Sequence, residues 1–322
     1  MRWRGRIFFT LLVLLAVIHA VRLAVHETCD GPGAGKVDAT VVIPPGGIAG
    51  VAGTLAKAGV IDYPLMFRAA AWFTRDAGPV RAGEYLFPAH ASLHQVLNIL
   101  RHGAEVQHQA TIPEGLTGQQ IAAIIDALPV ATGHVTPPAD GSVLPQTYDY
   151  VWDTNRATIL ARGQAAMQAL LAKDWAGREA GLPLSTPRQA LILASIVQQE
   201  TPLNGDMPFI AAVYENRLKA GMRLQADPTV IFAASGGRQS GGMSITRADL
   251  QLDSPYNTYV TDGLPPGPIC SPGAAALEAV LHPAQSNALY FVATSDGSHR
   301  SVFTHDFQKQ LSNIQRFLDP QK

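Results

Sequence analysis

The stretch LILASIVQQETPL (Leu191–Leu203) runs apolar for most of its length and then turns abruptly polar, with one carboxylate, Glu200, at the turn. Val197, Ile196 and Leu193 lie three, four and seven residues before it, so on a helix the carboxylate closes the apolar face. The helix has a clean start. Thr186 stands at the N-cap, Pro187 at the first helical position, and Gln189 completes a Thr-x-x-Gln capping box. That count puts Glu200 in the last turn, where the negative end of the helix dipole disfavours a charged carboxylate. Partial burial beside Ile196 and Val197 disfavours it further, and a carboxyl that keeps its proton near neutral pH is suited to general acid catalysis. An ordinary glutamate at a frayed helix end fits the same periodicity.

Two later segments offer groups that could hold a substrate. In NRLKAGMRLQADPTVIF (Asn216–Phe232), Arg223, Gln225, Asp227 and Thr229 alternate with Leu224, Ala226 and Pro228, as in an extended segment that shows one polar face to a groove. In SPYNTYVTDGLPPGPICSPG, Tyr256, Asn257, Thr258 and Tyr259 precede a rigid Gly/Pro loop. Tyrosine faces pack on sugar rings and amides bond hydroxyls, so a carbohydrate suits this set. Solvated loops explain both segments equally well. Asp227 and Asp253 are possible second carboxylates for a hydrolytic reaction.

Other chemistries find little support. His90 and His94 have i, i+4 spacing but lack the glutamate of a zinc-protease helix, and no Gly-x-Ser-x-Gly elbow occurs. GPGAGKV resembles a phosphate loop only faintly, with Val37 where Ser or Thr should stand and Asp30 in place of the first glycine. Cys29 and Cys270 are too few and too isolated for a zinc site, and spacing alone does not decide whether they pair. No metal or cofactor is expected. Charged residues make up 15% of the 322 and the formal net charge is −1. That balance argues against a nucleic-acid partner, and 47% hydrophobic residues argue for a packed core.

The elements that would position these groups follow a membrane-type leader. Arg2, Arg4 and Arg6 (within residues 1–6) precede an apolar run over residues 7–25, about 19 residues and long enough for one span with its N-terminus inside. A cleaved signal peptide is the alternative, and both export the rest of the chain. Residues 26–38 read as a Gly-rich linker. A weak repeat follows, in which VVIPPGG from Val41 and ATIPEGL from Ala110 each lead from a strand through Ile-Pro into a helical pattern. Between them Gly83–Phe87 reads as a strand, and Ser92 caps a helix ending near Gly103. A small α+β region therefore occupies residues 39–135, and Thr136–Ser142 reads as a boundary. Residues 140–322 form a second α+β region, with helical patterns over Ala157–Trp175, Pro187–Glu200 and Pro208–Ala220 and strands in ALYFVATS and SVFTH.

Taken in order, LASIVQQET, NRLKAGMRLQADPTV, TRADL, SPYNTYVTDGLPPGPI, SPGAAALEAVLHPA and LYFVA resemble the YceG-like family over roughly residues 40–318. The resemblance implies an exported enzyme held in the inner membrane, with a LysM-like region at residues 39–135 (most like it over 39–103) and a catalytic domain facing the periplasm. Such an enzyme cuts peptidoglycan glycan strands internally between N-acetylmuramic acid and N-acetylglucosamine, leaves a 1,6-anhydro end, and works near peptidoglycan synthases as a terminator of polymerisation. The family's catalytic glutamate falls on Glu200, and Gln225, Asp227, Tyr256, Asn257 and Tyr259 are the binding residues expected. Two departures stand out. The family's Glu-Lys-Glu-Thr box reads Gln198-Gln199-Glu200-Thr201 here, and its Phe-Pro-Asp segment reads Leu144-Pro145-Gln146. A hydrolytic muramidase and a non-catalytic peptidoglycan-binding scaffold are the alternatives.

Overall fold

A computed structural model describes residues 29–318 except 295, 297 and 299, together with Val13 and Ala16. Among the described residues, ten α-helices, two short 3-10 helices and three two-stranded sheets make a mixed α/β architecture with small sheets. The expected span over residues 7–25 lies outside the described residues but for those two isolated positions. Among the described residues no helix is long and apolar enough to cross a membrane.

The chain divides into two compact units, Met1–His108 with Asp149–Asp153, and Gln109–Tyr148 with Thr154–Lys322. In the first unit β1 (Ala39–Ile43) pairs antiparallel with β2 (Gly83–Phe87), Val41 standing opposite Tyr85. Alternation sends Val41, Ile43, Tyr85 and Phe87 into the core and leaves Leu86 exposed. Three helices cover that face: α1 (Ile48–Lys57), α2 (Pro64–Phe73) and α3 (Leu93–His102). Ser92 and Gln95 cap α3 reciprocally, satisfying two orphan N–H groups at its start. Leu55, Phe67, Val96 and Leu100 complete the core.

The division falls within β3 (His108–Thr111), and α4 (Gly118–Asp126) follows in the second unit, started by a Thr117–Gln120 capping box. Both halves of the weak repeat thus fold as strand followed by helix. β3 pairs with β4 (Thr147–Tyr150), and the long α5 (Arg156–Gly177) follows. The centre is a helical layer of α6 (Pro187–Glu200), α7 (Met207–Lys219) and α9 (Ala274–Leu281). Leu193, Ile196 and Val197 of α6 meet Ile210, Ala211 and Tyr214 of α7 and Leu277 and Val280 of α9 in one buried cluster. Each such aliphatic side chain contributes about 1.5–3 kcal/mol on burial. Alanines 190, 194, 211 and 276 are fully buried and let these helices approach closely. α8 (Asp227–Ala234) lies between α7 and α9 in sequence. Strands β5 (Tyr290–Ala293) and β6 (Ser301–Thr304) pair antiparallel, and α10 (Phe307–Leu318) ends the described chain.

Two local expectations change, and one open question is answered. The polar alternation over residues 223–229 is extended only as far as Ala226. Asp227 and Pro228 then start α8, because an acidic residue and a proline both suit a first helical turn. At α6, Thr186 accepts from the Gln189 N–H as expected, but the Gln189 carboxamide oxygen accepts from Ser185 N, one residue before the N-cap. Cys29 and Cys270 are both free thiols.

Candidate active site

Burial of one face of α6 fixes where its last residue points. Ser195 reinforces this from within the core: its hydroxyl donates to Ile192 O and accepts from Ile269 N, tying the helix to the loop before α9. The helix stops after Glu200 because Thr201 turns extended (φ −151°) and its hydroxyl accepts from Leu203 N. Glu200 is thus the final helical residue, at the carbonyl-rich end, half-buried among protein atoms.

Its surroundings come from α7 and α8. Tyr214, buried on α7, donates its hydroxyl to Glu200 Oε1 at 2.5 Å. Arg217 lies three residues on and is also buried. Its guanidinium is held by Leu224 O (2.5 Å) and Leu289 O (2.8 Å) over the Tyr290 ring, which leaves its charge to act on Glu200. Asp227, at the start of α8, accepts from the Tyr259 hydroxyl at 2.6 Å. Burial raises the Glu200 pKa most strongly; the Tyr214 hydrogen bond opposes it, the Asp227 charge adds to it and the Arg217 charge subtracts, leaving it at about 7. Burial also drives Tyr214 well above its ordinary value, and it drives Tyr259 upward with help from the hydrogen bond to Asp227. Both phenols therefore stay protonated donors. A carboxyl that titrates near 7 can both give and accept a proton at neutral pH.

The residues expected from sequence to bind substrate separate into three groups. Asp227 and Tyr259 join Glu200 in one electrostatic cluster. Gln225 sits two residues before Asp227 with an exposed side chain and a left-handed backbone (φ 49°), between the fully buried Leu224 and Ala226. Its N–H donates to Thr258 O, and Ala226 N donates to the Thr258 hydroxyl, so the turn is stitched to the 257–259 loop. Tyr256 packs against Phe232 (centroids 4.8 Å apart), and the charges felt at its hydroxyl are those of Asp140 and Arg188 rather than Glu200. Asn257 does not face a groove. It is fully buried, its amide donates to Leu250 O (3.1 Å) and Leu252 O (2.9 Å), and its oxygen accepts from Tyr259 N. Its hydrogen-bonding capacity is spent on shaping the loop that carries Tyr259.

Tyr214 and Arg217 escaped the sequence reading. In AAVYENRL, Tyr214 is spaced like a core residue, and its one signal is a hydroxyl carried on an apolar stripe with an arginine three positions on. The two glutamines before Glu200 also have defined work. Gln199 Nε2 donates to Gly115 O (2.6 Å) and Ser240 Oγ (2.9 Å), and Gln198 Oε1 accepts from Gly273 N (2.8 Å). They clamp three loops to the end of α6, where the resembled family carries an acid and a base.

A buried helix thus ends on one protonatable glutamate, faced by tyrosine hydroxyls and one further carboxylate, an arrangement able to exchange a proton with a bound molecule. The chain belongs to the YceG-like family, whose model matches residues 41–316. It is 40% identical over 128 residues to an endolytic murein transglycosylase of Bacillus subtilis (strain 168), covering 40% of this chain and 34% of that protein. It is 28% identical over 301 residues to the endolytic murein transglycosylase of Streptococcus pneumoniae (strain D39), covering 79% of this chain and 54% of that protein. The chain thus spans about half, or less, of the length of these curated relatives. A crystal structure of a YceG-like protein from Listeria monocytogenes superposes with a TM-score of 0.54 at 28% identity, covering 86% of this chain and 99% of that one.

Proposed function

We propose that this chain is an endolytic lytic transglycosylase of peptidoglycan, with Glu200 as its single acid/base. The carrying observation is the Glu200 carboxyl, poised at about 7 and bonded through Oε1 to Tyr214. With Oε1 held, Oε2 carries the exchanging proton. Glu200 protonates the oxygen between N-acetylmuramic acid and N-acetylglucosamine, and the C1–O bond breaks. The resulting carboxylate accepts the proton of the muramic C6 hydroxyl as that oxygen bonds C1. One proton enters and one leaves, water is not consumed, and the products are a new N-acetylglucosamine end and a 1,6-anhydro-muramic end. Ordinary glycosidases need a second carboxylate to activate water or attack C1. Here the nucleophile belongs to the substrate. Asp227 accepts from Tyr259, which suits it to holding sugar hydroxyls together with Gln225, while Tyr256 offers a platform farther from the acid.

The same reading makes residues 7–25 an inner-membrane anchor, residues 39–135 a LysM-like glycan-binding region, and residues 140–322 a catalytic domain in the periplasm. It makes nascent strands the substrate, peptidoglycan synthases the neighbours, and termination of polymerisation the outcome. The family match and relatives that carry the transglycosylase name support the activity, and the arginines at positions 2, 4 and 6 before the apolar run support the anchor.

Mass spectrometry of digested, peptide-free glycan tests the proposal. Anhydro ends support it, and reducing ends would transfer the site to hydrolysis with Asp227 as second carboxylate. Absence of cleavage by the wild-type chain would leave a binding scaffold.

A further inference from the structure

Helix α2 turns its large apolar residues outward. Its sequence, PLMFRAAAWF, buries Phe67 and Ala71, while Leu65, Arg68, Ala69, Trp72 and Phe73 lie on the opposite side. At 100° per residue these five span about 140° of one face. Leu65 is 73% exposed, Trp72 60% and Phe73 75%, with Tyr63 at the N-cap 64% exposed. The end carrying the aromatic pair is held firmly. The buried Arg101 guanidinium donates to Ala71 O (3.2 Å) and to the Thr74 hydroxyl (3.0 Å), which itself donates to Ala70 O (2.6 Å). Trp72 and Phe73 are therefore presented on an anchored helix rather than displaced by fraying. An exposed apolar face of this kind marks an interaction surface.

The ring geometry discriminates between occupants. A sugar stacks on an open aromatic face. The Arg75 guanidinium already lies 4.8 Å over the Trp72 ring, and the Phe73 ring meets Trp72 edge-on at 4.9 Å and 78°. A lipid surface makes no such demand. Trp, Phe and Leu settle at the boundary of headgroups and acyl chains, while Arg68 and Arg75 stay level with the phosphates. The exposed Asp62 and Asp76 offset the two arginines, so apolar insertion dominates over attraction to anionic lipid. Reach is adequate: residues 29–38 already pack on the first unit, where Gly33 N donates to His90 O and Cys29 lies against its core, so the chain from residue 25 to Cys29 extends at most about 14 Å.

We propose that the exposed face of α2 docks the first unit on the outer leaflet of the membrane that residues 7–25 span. This rests on the anchor reading given above.

The test uses the full chain in proteoliposomes. Subtracting the Trp72→Phe emission from wild type isolates Trp72, and lipids with a doxyl label near the headgroup report its depth. The expected result is at least twofold quenching of the Trp72 emission together with protection from iodide. Leu65→Glu with Phe73→Glu should abolish both, with circular dichroism unchanged. A carbonate-resistant chain whose Trp72 is unquenched and open to iodide overturns the proposal. So does shielding of Trp72 by peptide-free glycan and not by lipid. Release of the chain by carbonate overturns the anchor reading and the docking together. Glycan cleavage by the same proteoliposomes is measured separately, so loss of docking and loss of catalysis are told apart.

Discussion

Glu200 and Glu215 lie on consecutive helices, and burial raises both carboxyl groups to about 7. Their surroundings differ. Glu200 keeps access to solvent at a helix end, and a tyrosine hydroxyl meets its Oε1. Glu215 is 1% exposed in the middle of α7, its Oε1 has no hydrogen-bond partner, and the charges it feels are Lys219 and Glu179. A raised carboxyl pKa therefore does not identify an acid catalyst. What distinguishes Glu200 is a hydroxyl bonded to one carboxyl oxygen and partial exposure to solvent. Glu215 has the same shift with neither.

Replacing each carboxyl by its amide breaks this contrast most directly. Glu200→Gln should lower glycan cleavage by about 10²–10⁴-fold, the range that general acid–base catalysis supplies, with circular dichroism and glycan binding unchanged. Glu215→Gln should leave cleavage within about twofold of wild type, because an amide of equal size preserves the packing of α7. Full activity in Glu200→Gln, measured by release of anhydro-ended fragments, would remove Glu200 from the mechanism. A loss in the stably folded Glu215→Gln variant as large as that in Glu200→Gln would erase the distinction.

Two neighbours of Glu200 should move its titration in opposite directions. The acid must enter the reaction protonated, so kcat/KM should fall as pH rises through about 7. Tyr214→Phe removes a hydrogen bond that favours the charged form, so the falling limb should move to higher pH by on the order of one unit. Asp227→Asn removes a negative charge that favours the neutral form, so the limb should move lower. Shifts of the same sign would contradict the electrostatic assignment. A rate loss in Asp227→Asn as large as that of Glu200→Gln would point to a second catalytic carboxylate.

Glu215 should instead register in stability. Its folded pKa of about 7 exceeds its ordinary value of 4.5, so between those values the folded chain holds a proton that the unfolded chain has released. Its contribution is full below about pH 4.5 and is lost as pH rises through 7. Glu215→Gln lacks this titration, so it should be more stable than wild type at pH 8 by about 1–3 kcal/mol, with the advantage shrinking towards pH 5. Urea unfolding at the two pH values checks the sign. An advantage that grows towards low pH would show that the buried carboxyl is stabilised in its charged form.

The frame of this site was legible in sequence, and its fine structure was not. Thr186, Pro187 and the spacing of Leu193, Ile196 and Val197 are local signals, and they gave α6 its limits and Glu200 its place. The same held for α3, where Ser92 and Gln95 form the cap within four residues. Tyr214 reaches Glu200 across fourteen residues and a helix reversal, and its spacing on α7 looks the same whether its hydroxyl meets a carboxylate or a water. Asn257 failed for the opposite reason. An amide among tyrosines suggests a sugar, yet backbone carbonyls at Leu250 and Leu252 consume it, and loop carbonyls leave no trace in residue types. The exposed face of α2 was hidden because large apolar residues stand on both sides of a short helix, so residue types alone do not say which side is buried.

The smallest expected effect falls on Gln225 and asks whether the open surroundings of Glu200 store strain that the sealed surroundings of Glu215 lack. Gln225 holds φ at 49°, a region that costs a side-chain-bearing residue roughly 1–2 kcal/mol. Buried Leu224 and Ala226, together with the bond from Gln225 N to Thr258 O, keep it there. Gln225→Gly relieves the strain but adds freedom to the unfolded chain, so a net gain of about 0.5 kcal/mol is expected. Gln225→Ala keeps the strain and gains nothing. Both remove the carboxamide, so both should raise KM for glycan several-fold while kcat holds, because a contact made equally in ground and transition states affects binding alone. A KM that rises only in the glycine variant would mean that the fixed backbone, not the amide, positions the sugar. An unchanged KM in both would remove Gln225 from the substrate groove and leave its strained turn as a device for aiming Asp227 at the Tyr259 hydroxyl.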